Sequence, residues 1–310
     1  MGLIEQAANR LEQLRRAGVE VPEPVGRQEP VLAGKPEEAA APAAAAKKPR
    51  GDDMSKRVTL DTEALGRAGF VTPQAPRSQI SNEFRVIKRP LIANALGKGA
   101  VPVANGNLIM VTSAVPSEGK TFTAINLAMS IAMEMDTTVM LVDADVAHPS
   151  VPRVLGLPPG PGLLDVLQNE SIDLSDVLLK TNVDNLTLLP AGTQHQRATE
   201  ILASEALVEL LGEMARRYDD RIIIFDSPPL LVTTEARVLA THMGQIVLVS
   251  RAEHTLQSQI KQALATIESC PVKLMVLNQA LPDPMGSYGY GYGYGYGYGY
   301  GYGQKSEEEN

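Results

Sequence analysis

One octapeptide limits the folds open to this chain more than any other feature: Ala114-Val115-Pro116-Ser117-Glu118-Gly119-Lys120-Thr121. It separates an apolar run, Leu108 to Thr112, from a run of helix formers, Phe122 to Met135. A strand that turns sharply into a helix start aims successive backbone N–H groups and a helix dipole at one point, which suits a phosphate. Lys120 adds a point charge for the β- and γ-phosphates of a nucleotide, and Thr121 adds a hydroxyl for Mg²⁺. Pro116, Ser117, Glu118, Gly119 and the adjoining Phe122 complete the expected cradle. Where the consensus has Gly first, this chain has Ala114, so the loop is a deviant form of the motif.

Two later apolar runs end in acid. Thr138 to Val142 leads into Asp143-Ala144-Asp145, and Arg221 to Phe225 leads into Asp226. Carboxylates two apart at the carboxyl end of a strand share a face and lie beside the crevice where parallel sheets bind ligands. Their mutual repulsion calls for a cation, and Mg²⁺ is the one a nucleotide brings. Asp226 fits a second phosphate-site motif, whose carboxylate reaches Mg²⁺ directly or through water. Gln245 to Ser250 and Lys273 to Leu277 supply two more strands, with a helix from Leu256 to Ser269 between them. Strands alternating with helices imply a parallel sheet covered on both faces, and right-handed crossovers make it doubly wound. The expected fold class is therefore α/β, a P-loop NTPase. Asn278, just past the last strand, either offers its amide to a purine edge or caps the turn.

Around this centre the chain divides by composition. Leu3, Ile4, Ala7, Leu11 and Leu14 form one helical stripe, so residues 1–20 read as an amphipathic helix. Residues 21–56, rich in Pro, Ala, Glu and Lys, carry too little apolar surface to repay ordering and read as a linker. Residues 57–78 read as a small capping segment and 79–284 as the nucleotide-binding domain. Within the domain, Gln79 to Leu96 is expected to be a helix starting at a Ser81 cap and kinked at Pro90, with Arg85, Lys88 and Arg89 on a solvated face. Residues 146–162, with five prolines, read as an irregular loop. Helices are expected over 163–167, 174–180 and 199–218, and a strand over 186–190.

Composition closes off other functions. The net charge of −8 argues against a nucleic-acid surface. Cys270 is the only cysteine, so no intrachain disulfide or C-x-x-C metal site can form, which fits a reducing compartment. His148, His195, His242 and His254 show no ligand spacing and read as ordinary surface or core residues. No apolar run approaches the roughly 18 residues of a membrane span, and residues 1–20 lack a signal peptide's apolar block, so the expected location is cytoplasmic. The tail, residues 285–310, holds eight of the nine tyrosines, each separated from the next by one glycine: Tyr288, Tyr290, Tyr292, Tyr294, Tyr296, Tyr298, Tyr300 and Tyr302. Alternating glycine makes order expensive, so a flexible tail is expected. It reads either as a self-associating low-complexity segment or, beside a phosphoryl donor, as a substrate.

Taken together these residues resemble the bacterial tyrosine kinases, the soluble type associated with exopolysaccharide synthesis and export. Ala114 to Thr121 corresponds to that family's Walker A, Leu141 to Asp145 to its Walker A′, Ile222 to Asp226 to its Walker B, and Tyr288 to Tyr302 to its tyrosine cluster. The resemblance implies ATP and Mg²⁺, with Lys120 on the β/γ-phosphates and Thr121, Asp145 and Asp226 around the ion. It places Asp143 near the incoming hydroxyl. It also implies a ring-like homo-oligomer in which one copy's tail enters its neighbour, a membrane-embedded polysaccharide co-polymerase as activator, and a tyrosine phosphatase as antagonist. The family's E-x-x-R-x-x-R helix has an imperfect counterpart in Asn82, Arg85 and Lys88, and Ala147 stands where a basic residue follows Walker A′. The competing classes are partitioning and positioning ATPases, whose loop has an early Lys where this chain has Val115, and a non-catalytic ATP-binding regulator.

Overall fold

The computed structural model describes residues 56–217 and 221–280. The expected amino-terminal helix, the linker up to residue 55 and the tail with all eight clustered tyrosines lie outside the described residues. The chain enters through β1 (Lys56–Arg57), α1 (Thr62–Arg67) and α2 (Gln79–Ala95). Then follow β2 (Leu108–Ser113), α3 (Lys120–Ala132), β3 (Thr138–Asp143), α4 (Val151–Val154), α5 (Leu163–Gln168) and α6 (Leu174–Val177). Next are β4 (Leu179–Lys180), β5 (Leu186–Leu189), α7 (Ala198–Leu202), α8 (Glu205–Arg217) and β6 (Arg221–Asp226). The last elements are α9 (Thr234–Ala240), β7 (Gln245–Arg251), α10 (Gln257–Thr266) and β8 (Val272–Asn278).

The strands form one sheet in the order β1-β4-β5-β3-β6-β2-β7-β8, parallel except for the antiparallel β4–β5 pair. Central strands are apolar on both faces because both faces are covered. Leu108 and Met110 of β2 enter one core layer, with Ile223 and Phe225 of β6. Ile109 and Val111 enter the other, with Ile222 and Ile224. α3 is buried from Thr123 to Ala132, wedged between the sheet and α2, so it carries almost no polar face. Leu60, Leu65 and Val71 of the segment before α2 are buried in that same layer. Among the described residues no helix is long and apolar enough to cross a membrane.

Several sequence expectations change. Ser78, not Ser81, caps α2, its Oγ accepting from the Ser81 N–H at 3.3 Å. Pro90 sits inside α2 without ending it; the carbonyl it leaves unbonded belongs to Val86, a residue 73% exposed, on the side open to water. Lys88 is not on a solvated face: it is 3% exposed, and its ammonium pairs with Glu134 at 2.7 Å and donates to the Ser130 carbonyl. Burial of a long cation at an α2–α3 contact is satisfied by that acid and that carbonyl. The run expected as one helix over 174–180 turns to strand after Val177, because Leu179 and Lys180 pair with β5. The helix expected over 199–218 breaks between Leu202 and Glu205. The proline-rich loop holds a helical turn, α4, and α9 is an element the sequence reading missed.

Candidate active site

The site lies along the carboxyl edge of the sheet, where β2, β3, β6 and β8 all end. Between β2 and α3 the loop makes two left-handed steps, at Ser117 (φ 66) and Gly119 (φ 93). Successive residues of this kind turn their N–H groups into one concavity, a form suited to an anion. Gly119 is required twice over. Its φ disfavours any side chain, and a Cβ there would meet Asn278 Nδ2 at 2.0 Å. Asn278 in turn donates from Nδ2 to the Glu118 carbonyl at 2.9 Å, bracing the loop from the end of β8.

Glu118 points away from the cleft. It is fully buried, and its Oε2 accepts from the Val115 N–H at 2.9 Å. Its Oε1 accepts from the Thr255 hydroxyl, whose oxygen accepts from the Arg251 N–H at 2.9 Å. The side chain is thus an internal strut joining the loop to the turn after β7.

The cleft above the loop has a volume of about 480 Å³ and is lined by Pro116, Ser117, Gly119, Lys120, Thr121, Phe122 and Asp145. Lys120 Nζ lies 3.0 Å from Asp145 Oδ2, both side chains largely buried. Thr121 Oγ1 and Ser150 Oγ share a hydrogen bond of 3.1 Å. Asp143 and Asp226 stand opposite each other at the ends of adjacent strands, both fully buried. Asp143 Oδ2 accepts from the Ser150 and Val151 N–H groups, each at 2.9 Å, which hangs α4 on this carboxylate. Asp143 Oδ1 and both carboxylate oxygens of Asp226 are buried with no hydrogen-bond partner.

Those orphan oxygens set the electrostatics. Burial pushes Asp226 up to about 7 against the pull of Lys120, with Asp143 adding a smaller push upward. Burial pushes Asp143 up to about 6, opposed by the Val151 and Ser150 N–H groups. An unpaired buried carboxylate is costly unless something cationic comes to it. The donor set is all oxygen, which suits a hard divalent ion such as Mg²⁺. Among the described residues no three His, Cys, Asp or Glu side chains gather into a metal cage. Mg²⁺ does not require such a cage, since it keeps several waters and takes one or two carboxylates beside substrate phosphates.

The structure therefore puts Lys120, Thr121 and Asp145 on the cleft wall with the loop residues around them, and Asp143 and Asp226 fully buried at the adjoining strand ends. It puts Glu118 and Asn278 behind the loop rather than on the cleft wall. His148, Ser150, Arg153 and Thr233 also line the cleft. Sequence reasoning assigned none of them to it, and treated His148 as ordinary. Their only signal was proximity in the chain to a strand-end acid: His148, Ser150 and Arg153 follow the Asp143-Ala144-Asp145 run, and Thr233 follows Asp226 by seven residues.

A glycine-hinged loop opening a buried helix, beneath strand-end acids on a parallel sheet, defines a P-loop nucleotide-binding domain. The family model described as an AAA domain matches residues 107–281. Within that class the chain belongs to the bacterial tyrosine-protein kinases. Tyrosine-protein kinase YwqD of Bacillus subtilis is 30% identical over 231 residues, covering 74% of this chain and 88% of that protein. Tyrosine-protein kinase Wzc of Salmonella typhimurium is 30% identical over 181 residues, covering 58% of this chain but 25% of that longer protein. The kinase domain of the Escherichia coli tyrosine kinase ETK aligns with a TM-score of 0.53 and 26% identity, covering 61% of this chain and 73% of that one.

Proposed function

We propose that this chain is an ATP-dependent tyrosine autokinase whose acceptors are Tyr288 to Tyr302 of its own tail, used chiefly between copies. The observation that carries the reading is a shared edge. β8 runs parallel to β7, so the chain leaves the sheet at Asn278 on the same edge as the phosphate loop, Asp143 and Asp226. The segment bearing the tyrosines begins ten residues after Asn278, within reach of that edge.

In the proposed reaction the tyrosine phenol oxygen bonds to the γ-phosphorus of ATP, the bond to the β–γ bridging oxygen breaks, and ADP leaves. The loop N–H groups and Lys120 hold the phosphate oxygens, and transfer rests mainly on positioning and charge neutralisation. Lys120 exchanges its Asp145 partner for phosphate when nucleotide enters. Thr121, Asp145 and Asp226 would hold Mg²⁺, which supplies neutralisation of charge on the β- and γ-phosphates. Asp143 keeps one oxygen on the α4 N–H groups and has the other without a donor, so it can orient the phenol and receive its proton.

Each phosphotyrosine adds about −1.5 to −2 charges. Several on tails crowded around one assembly would repel one another and Glu307 to Glu309, loosening it and altering its hold on a membrane-embedded polysaccharide co-polymerase. A tyrosine phosphatase would reset the cycle. That regulatory output is the proposed link to exopolysaccharide polymerisation and export.

The test is incubation of the purified full chain with Mg²⁺ and ATP, with and without the cytoplasmic end of such a partner, followed by mass-spectrometric mapping. Phosphate on the tail tyrosines is expected, lost by at least about 10³-fold in Lys120→Met. Absence of tail phosphate under both conditions overturns the reading. For the trans component, Lys120→Met protein mixed with active protein should gain tail phosphate; a failure to do so leaves transfer within one copy.

A further inference from the structure

A second depression adjoins the cleft. It has a volume of about 850 Å³, and Arg153 lines both. One wall is the segment 149–161, the other the segment 190–194 that follows β5. Five prolines, Pro149, Pro152, Pro159, Pro161 and Pro190, give it its surface. Proline rings present C–H faces and no N–H, so this groove is poorly made for a second nucleotide and well made for flat aromatic rings. Proline against aromatic is a standard recognition contact, seen elsewhere with the aromatics on the protein and the prolines on the peptide.

The groove is preformed and tied to the chemistry. Its first wall hangs on Asp143 through the Ser150 and Val151 N–H groups. Its two walls are stitched together by Asp165, whose Oδ2 accepts from the Gly162 N–H at 2.8 Å and the Thr193 N–H at 2.9 Å. Gly162 sits so close to β5 that a Cβ would meet the Pro190 carbonyl oxygen at 2.0 Å.

We propose that this groove docks the alternating tyrosine–glycine run, residues 288–303, seating one ring on the prolines while a neighbouring tyrosine enters the cleft past Arg153. The inference rests on the tail-kinase reading and names its acceptor subsite. Three observations select this occupant. The run is uncharged and aromatic, matching an apolar wall with one cation at its inner end. Glycine brings no side chain of its own, so the sequence between the tyrosines offers nothing that competes with a ring for the groove. The geometry also reaches. Five strand spacings separate β8 from β5 in the sheet, about 24 Å at roughly 4.8 Å each. A flexible segment of about 15 to 20 residues has an r.m.s. span of about 20–27 Å. Tyrosines from the middle of the run therefore span the distance from the end of β8 to the groove.

The test fills the groove without touching the cleft. A side chain at Gly160 would meet nothing within 4 Å, and that residue is exposed, so Gly160→Trp is accommodated. Gln194→Trp fills the groove from the opposite wall. Full-length variants are compared with wild type for tail phosphate by mass spectrometry and for ATP affinity with a fluorescent analogue. The initial rate of tail phosphorylation should fall about tenfold, the equivalent of about 1.4 kcal/mol of docking, while ATP affinity stays unchanged. A synthetic peptide of six alternating tyrosines and glycines should compete with the tail in wild type and not in the variants. Wild-type phosphorylation rates in both variants overturn the groove. If wild type itself makes no phosphotyrosine, the kinase reading fails instead. Binding of that peptide to wild type, measured by calorimetry, then decides the groove alone: binding abolished by Gly160→Trp supports it, and binding absent or unaffected overturns it.

Discussion

Glu118 and Asp226 are both carboxylates with no exposed surface, at neighbouring points of one sheet edge, and the fold treats them oppositely. Glu118 has a donor on each oxygen, the Val115 N–H and the Thr255 hydroxyl. Asp226 has none. The first is a strut: its charge is satisfied inside the protein and leaves nothing over for a ligand. The second is an unbalanced charge, whose burial a bound cation would offset. Side by side they separate the acid that shapes the loop, braced from β7 and β8, from the unpaired acids at the ends of β3 and β6.

The largest effect is expected from Asp226→Asn. Tail phosphorylation is expected to fall by about 10²–10³-fold, while the nucleotide-free protein gains about 2–4 kcal/mol at pH 8, read from denaturant melts. The sign follows from burial. Asp226 titrates near 7 in the fold against 3.8 when free. The fold therefore binds the proton more tightly than the unfolded chain between those values, and stability falls as pH rises through about 7. The asparagine variant should flatten that slope, and an unchanged slope would mean that Asp226 is not the orphan charge.

Glu118→Ala comes next and should move the other way. It strands the Val115 N–H and the Thr255 hydroxyl, with an expected loss of about 2–3 kcal/mol and a lower melting temperature at every pH. Thr255→Val, removing one partner only, should cost less. Smallest is Asn278→Ala, which removes a single brace on the Glu118 carbonyl. An expected cost of about 1 kcal/mol should appear as a several-fold weaker hold on ATP analogues. A melting loss from Asn278→Ala as large as that from Glu118→Ala would erase the distinction between strut and brace.

What could be read from the sequence was whatever local pattern decides. Apolar runs ending in Asp143 and Asp226, and Gly119-Lys120-Thr121 before a helix, each declare themselves within ten residues. Ser78 and Ser81 show the limit at an element's edge. Both are good caps three residues apart, and the choice lies in which one's oxygen meets the other's N–H. The run after Leu174 shows a second limit, since a short apolar stretch becomes strand only because β5 is there to pair with it. Lys88 looked like surface charge until Glu134, 46 positions later, closed over it. The proline-lined groove was invisible for the same reason. Its walls lie about thirty residues apart, and only Asp165 reaching both Gly162 and Thr193 makes them one feature.

The direction of β8 has a kinetic consequence. A substrate fastened to the rim of its own catalyst does not thin out when the protein is diluted; short flexible tethers hold their cargo at about millimolar local concentration. Under the proposed function, acceptor supply at the cleft is then fixed by chain connectivity, within one copy or within an assembly that holds together. The rate per molecule should stay flat across a dilution series until that assembly comes apart, and the point at which it drops reads out the strength of the contacts between copies.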